Sequence, residues 1–264
     1  MRTSSVQSIS VLEPSLFPQE SAPLASTRPG GLAAPSGSSS RGSSPLTLPG
    51  LRRGGASEPP ARVPTAFPAL DALLDGGWPR GRLSEVYGAR STGRTSLALH
   101  TVAAATRRGE FVAWIDLVDA LHPFSLARAG TLLPRVLWVR PPAWAAGLRC
   151  AELLLQSKGF SLLTLDLGDS LPRLPLPATW VRLQRAAEQA QTALLVLAPR
   201  AVAGSFATVR VRLERRRLHW LRGAWPVLTG WESSGFLERN KLGREGLQVP
   251  LSLRADPFWV STRS

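Results

Sequence analysis

The sequence predicts an α/β fold: a mostly parallel sheet flanked by helices, with an antiparallel extension toward the C-terminus. Three observations carry this. Short apolar runs alternate with helical patterns between residues 64 and 198, the rhythm of β–α–β units. A strand-like "EVY" enters the glycine-bracketed turn "GARSTGRTS", Gly88 to Ser96, and a helix follows. That context is what makes such a turn a candidate phosphate-binding loop. After Ser205 the period falls to two, with Gly and Pro between segments, as antiparallel hairpins require.

Each element has its own signal. "AFPALDALLDGG", from Ala66, spaces apolar residues as a helix does and stops at Gly76-Gly77. "RLSEVYG" alternates toward a strand, and "TSLALHTVAAATRRG" is a helix closed by Gly109. "FVAWID" is a strand ending at Asp116, and "ARAGTLLPRVLWVRP" holds a short helix and the strand "VLWVR". "AAGLRCAELLLQSKG" is a helix leading to the apolar strand "FSLLTLDL", which carries Asp166. "TWVRLQRAAEQAQ" and "TALLVLA" complete the helix–strand series. Helices on both faces of the sheet follow from this alternation.

Composition bounds the rest. The chain has 264 residues, enough for one sizeable domain or two small ones. Residues 1–62 read as a disordered Ser/Pro/Gly-rich tail, 63–254 as the folded core, and 255–264 as a C-terminal tail. The first tail has no sustained apolar period to offset its ordering entropy. It is a plain linker or a partner-binding tail, the latter through "LTLPGLRR". A formal charge of +14 favours contact with nucleic acid or an acidic protein surface. The cations are nearly all arginine, Lys158 and Lys241 being the lysines. Cys150 stands alone, which excludes an internal disulfide framework and a cysteine-based zinc site. His100 and His122 share no metal-ligand spacing and read as packing or surface residues. No apolar run nears the roughly 20 residues of a membrane helix. There is no compact secretory signal, although the Ser/Arg content faintly resembles a transit peptide. A cytoplasmic protein without membrane contact is the simplest expectation.

The loop keeps the spacing of a phosphate-binding motif but places Arg94 where lysine is usual. Gly88 and Gly93 allow the backbone to approach phosphate, and the helix N-terminus beyond adds free N–H groups. Thr95, beside Ser96, offers a hydroxyl for Mg²⁺, and Asp166 is placed as the second acid of the metal site. ATP and Mg²⁺ are therefore the expected cofactors if the pocket is filled. Gly-rich turns and strand-end aspartates also occur for purely structural reasons. Arginine keeps the charge, but its planar fork is wider than an ammonium and should displace the geometry or pre-fill the site. Hydrolysis also needs a carboxylate after the second strand. Asp119 is the nearby acid, one place from where it is wanted.

"GGWPRGRLSEVYGARSTGRTSLALHTVAAATRRGEFVAWIDLVDALHP" resembles the bacterial RecA recombinase core nearly step by step. The likeness continues through "LLTLDL", "ALLVLA", "ATVRVRLERR" and "LERNKLG", so it spans roughly residues 64–253. The departures are as informative. Val118 stands at the position of the catalytic glutamate, and Pro199 or its neighbours at that of the sensor glutamine. The two DNA-binding loops are shortened, the first to about "GDSLPRLPLPA" and the second to the stretch between Ala198 and Phe206. Arg239 and Lys241 match the cations that RecA places over a neighbour's nucleotide. A shortened, catalytically eroded RecA core with a basic C-terminal part resembles the ImuA family. That resemblance implies an adaptor to an ImuB-like protein and a DnaE-type error-prone polymerase in damage-induced translesion synthesis, with RecA and DNA as further partners. An active DNA-stimulated ATPase, a negative regulator of RecA filaments and a SulA-like division inhibitor are the alternatives.

From Arg200 to Gly223 seven arginines face one glutamate. The two-residue period puts Arg210 and Arg212 on one sheet face, opposite Val209, Val211 and Leu213. With Arg215, Arg216, Arg217, Arg239 and Lys241, and with His219, Trp220 and Trp225 alongside, this is a candidate surface for a DNA backbone. An acidic partner would be steered equally well. The third reading is a solvated hairpin face with its tryptophans in the core.

Overall fold

The computed structural model describes residues 59–171, 175–223 and 226–254. The tail readings for 1–58 and 255–264, and the reading of Trp225, fall outside these residues. In chain order the strands and helices are β1 (Arg62–Val63), α1 (Pro68–Leu73), β2 (Trp78–Pro79), β3 (Leu83–Tyr87), α2 (Arg94–Arg107), β4 (Phe111–Asp116), α3 (Pro123–Arg128) and β5 (Val136–Val139). There follow α4 (Trp144–Ser157), β6 (Phe160–Asp166), α5 (Pro177–Ala190), β7 (Ala193–Ala198), β8 (Val209–Leu221), β9 (Val227–Asn240) and β10 (Leu247–Arg254). The Arg80 N–H donates to the Ala61 carbonyl at 2.7 Å.

Eight strands form one sheet in the order β10-β9-β8-β3-β7-β6-β4-β5. The stretch from β8 to β5 is parallel throughout, while β8–β9 and β9–β10 are antiparallel. The expected parallel core and antiparallel extension are both present. β7 reads "ALLVLA" because it is covered on both faces, every residue being buried, as central parallel strands are. β4 divides its side chains between two cores. Val112 and Trp114 pack with Leu97 and Val102 of α2, while Ala113 and Ile115 pack with Leu155 of α4 and Trp180 of α5. The alternation of Cβ direction along a strand produces this sorting.

The helix predicted from Ala66 is shorter than its apolar pattern. Pro68 at its start fixes the first turn, and Gly76 and Gly77 take φ of +109° and +123°, conformations that suit glycine. β3 lies between β7 and β8, so the turn after it opens at the carboxyl edge of the parallel strands, where ligands bind in such sheets.

β8 is much longer than its parallel neighbour. It pairs with β3 only from Val209 to Arg212, and β10 accompanies β9 only as far as Gly230. Beyond those points β8 and β9 continue as a two-stranded arm. Two residues of β8 are set against one register step of β9 between Arg215 and Arg217, a bulge that interrupts simple alternation along the arginine run.

Candidate functional site

The loop after β3 is fixed from several sides. The Gly88 N–H donates to the Ala198 carbonyl at 3.3 Å, and a Cβ at Gly88 would lie 2.4 Å from the Leu213 carbonyl oxygen. Only glycine fits there. The Thr92 hydroxyl donates to the Ala89 carbonyl at 2.8 Å, and the Ser233 hydroxyl of β9 donates to the Thr92 carbonyl at 2.8 Å. Gly93 has φ of +95° and precedes α2. A side chain there would strike Leu253 of β10 at 2.2 Å and approach the Trp231 indole nitrogen at 3.1 Å. The antiparallel strands therefore press directly on the loop.

Arg94 is the buried first residue of α2, 9% exposed. Its guanidinium pairs with Asp169, and Nη1 donates to the Gly168 carbonyl at 3.4 Å. Arg90 reaches the same carboxylate, Nε to Oδ2 at 2.8 Å. Partial burial pushes the Asp169 carboxyl up, but hydrogen bonds and charge from Arg90 and Arg94 outweigh it and hold it below its ordinary value. The sequence reading missed Asp169. Its signal was an acid three residues beyond Asp166, facing the cation that had replaced lysine.

Asp166 ends β6 and is nearly buried. Burial pushes its carboxyl up to about 6, opposed by the Gly168 N–H that Oδ1 accepts at 2.9 Å. Asp116 caps the turn after β4, accepting N–H groups from Val118, Ala120 and Leu121 at 2.8 to 3.3 Å. Val118 covers Gly168, where an added Cβ would meet its Cγ1 at 2.4 Å. Asp119 points elsewhere and pairs with Arg140 at 3.4 Å.

A cleft of about 540 Å³ lies between this loop and the β8–β9 arm. Gly93, Arg94, Thr95, Ser96 and Asp166 all line it, so five of the six predicted pocket residues meet in one place; Gly88 lies beneath the loop instead. Its opposite wall carries Arg215, Leu218, Trp220, Leu228 and Trp231. An ATP–Mg²⁺ group needs a cation on its terminal phosphates and an ionised acid for the metal. Here the Arg94 guanidinium is paired with Asp169, and Asp166 is 7% exposed. The glycine turn and the start of α2 fit an anion at the loop. Among the described residues no group of three or more His, Cys, Asp or Glu is placed to hold a metal.

The seven basic residues divide. Arg210 Nε meets Glu85 Oε2 at 2.7 Å, and the fully buried Glu85 also accepts the N–H groups of Val202 and Ala203. Arg212 pairs with Glu238 and Glu214 and lies 4.4 Å over the Phe236 ring. Arg216 bonds Ser234 at 2.9 Å and Glu214 at 3.4 Å. Arg239 donates to the Gly204 carbonyl at 2.6 Å, and Lys241 donates to that of Ser205. Burial, then the charges of Arg239 and Arg210, lower the Lys241 ammonium. Arg215 and Arg217 make no ion pair among the described residues. Nearby glutamates and carbonyls thus occupy five of the seven cations, and the bulge between Arg215 and Arg217 breaks the two-residue period along β8. The reading that buries the hairpin tryptophans fails at Trp220, which is 52% exposed.

A glycine turn at the centre of a parallel sheet, opening into a cleft at the strands' carboxyl edge, defines a phosphate-loop α/β domain. Residues 60–208, more than half of the chain, match the RecA N-terminal domain family. The chain belongs to that family. Protein RecA of Mesorhizobium japonicum is 37% identical over 127 residues, 42% of this chain and 35% of that one. Protein RecA of Lactobacillus acidophilus is 38% identical over 105 residues, 39% and 29% of the respective chains. The matched region thus spans about a third of these curated relatives. The RadB recombinase crystal structure superposes with a TM-score of 0.57 at 21% identity, covering 72% of this chain and 95% of that one. At that identity the likeness is one of fold. No described helix is long and apolar enough to cross a membrane.

Proposed function

We propose that this chain is a non-catalytic or weakly catalytic RecA-like accessory protein of SOS-induced translesion DNA synthesis. Its role is that of an adaptor to ImuB-type and DnaE-type polymerases, with RecA and DNA as further contacts. The observation that carries the loss of catalysis is Arg94. Its guanidinium is tied to Asp169 and Gly168 rather than presented to the loop. Val118, packed on Gly168, supplies no proton acceptor where a water would need orienting. The adaptor assignment rests on the resemblance to the ImuA family. The tethering of Arg239 and Lys241 to the chain's own backbone also fits a subunit that works outside a catalytic filament.

Phosphate release from ATP with Mg²⁺, measured with and without single-stranded DNA, tests the catalytic half; the expected rate is near background in both. A rate comparable to a recombinase would establish the rival ATPase reading. Pull-down against purified ImuB-like protein, DnaE-type polymerase and RecA tests the other half. Capture of either polymerase component is expected, and capture of RecA alone would favour the filament-regulator alternative.

A further inference from the structure

We infer that the cleft between the phosphate loop and the β8–β9 arm is a docking groove for an acidic peptide segment with bulky apolar side chains. The inference rests on the adaptor reading in one respect: the occupant is protein. The arm extends past the strands that would otherwise flank it, because β3 ends opposite Arg212 of β8 and β10 reaches only to Gly230 of β9. Its cleft-facing side carries Leu218 and Trp220, exposed by 37% and 52%, beside Leu228. Interior pairing leaves these apolar side chains uncovered, and contiguous exposed apolar surface of this kind marks interaction sites.

Charge chooses the occupant. Arg215 sits in the same cleft wall as Leu218 and Trp220 and has no ion-pair partner among the described residues. Across the cleft lie Arg90, whose side chain is 82% exposed, and the start of α2. The Trp231 indole N–H, over Gly93, is buried without a hydrogen-bond acceptor. An occupant with carboxylates pairs with Arg215 and Arg90, and its apolar side chains cover Leu218, Trp220 and Leu228. Nucleic acid fits less well. A phosphate backbone calls for a run of free cations, whereas here Arg210, Arg212 and Arg216 are neutralised by Glu85, Glu214 and Glu238 and the cleft wall beside Arg215 is apolar.

The experiment uses the full chain and three probes in fluorescence titration. These are a labelled peptide of glutamates, leucines and one tryptophan, a peptide of equal charge with serine for the apolar residues, and labelled oligo-dT. Binding of the first peptide in preference to the second is expected. Trp220→Ala and Arg215→Glu, both surface changes checked by thermal unfolding, should each weaken it by about tenfold. Absence of peptide binding, equal binding of both peptides, or indifference to both substitutions overturns the groove. So does oligo-dT binding that depends on Trp220 and Arg215 in its place. The phosphate-release and pull-down measurements are independent of these titrations, so the adaptor reading and the groove fail separately.

Discussion

Arg94 and Asp169 show how one exchange changes a pocket. Lysine in this loop would keep a compact charge near the phosphates, while arginine's longer fork reaches a carboxylate on the turn after β6. Asp169→Asn removes that anchor. It should strengthen pyrophosphate binding about tenfold by titration calorimetry, equivalent to about 1.4 kcal/mol. Unchanged affinity would mean that the ion pair does not guard the loop. Asp166 gives a second prediction. Its carboxyl moves from an ordinary 3.8 to about 6 on folding, so the folded state holds its proton more tightly. That stabilisation is complete below pH ~4 and is lost as pH rises through ~6, by about 2–3 kcal/mol in all. In Asp166→Asn the side-chain oxygen still accepts the Gly168 N–H. Urea midpoints measured across this range should lose most of their pH slope in the variant, and the gain over the parent should be largest above pH ~6.

At the scale of elements, the loop and the antiparallel strands form one mechanical unit. Gly88 lies against the Leu213 carbonyl, and Gly93 against Leu253 and Trp231. Gly88→Ala places a methyl group against backbone that cannot give way, and should cost about 2–4 kcal/mol, read from the urea midpoint. The strand, loop and helix around Gly88 were legible in the sequence because glycine spacing and hydrophobic period are local signals. The binding of that loop by Ser233 was not, because β9 lies about 140 residues away along the chain. The arm was legible as a hairpin. Its bulge at Arg216 was not, since an inserted residue leaves no compositional mark. The free cations therefore had to be sorted from the paired ones by geometry.

For the whole molecule, the proposed loss of catalysis involves several positions, so one reversion should not restore turnover. Arg94→Lys alone leaves Val118 at the water-orienting position and Asp169 able to take the new ammonium. Phosphate release in that variant, with single-stranded DNA present, should stay near background. Recombinase-like turnover would show that one side chain had silenced the site. The sequence by itself determined the alternating α/β fold, the place of the phosphate loop within it and the membership of the RecA N-terminal domain family. These rest on period, glycine placement and ordered local motifs, all carried by neighbouring residues. Only the tertiary structure decided that Arg94 faces Asp169, that Glu85 and its fellow acids occupy most of the arginine row, and that the arm overhangs the loop. Ion pairing depends on distance in space, and the partners here come together only when distant strands align in the sheet.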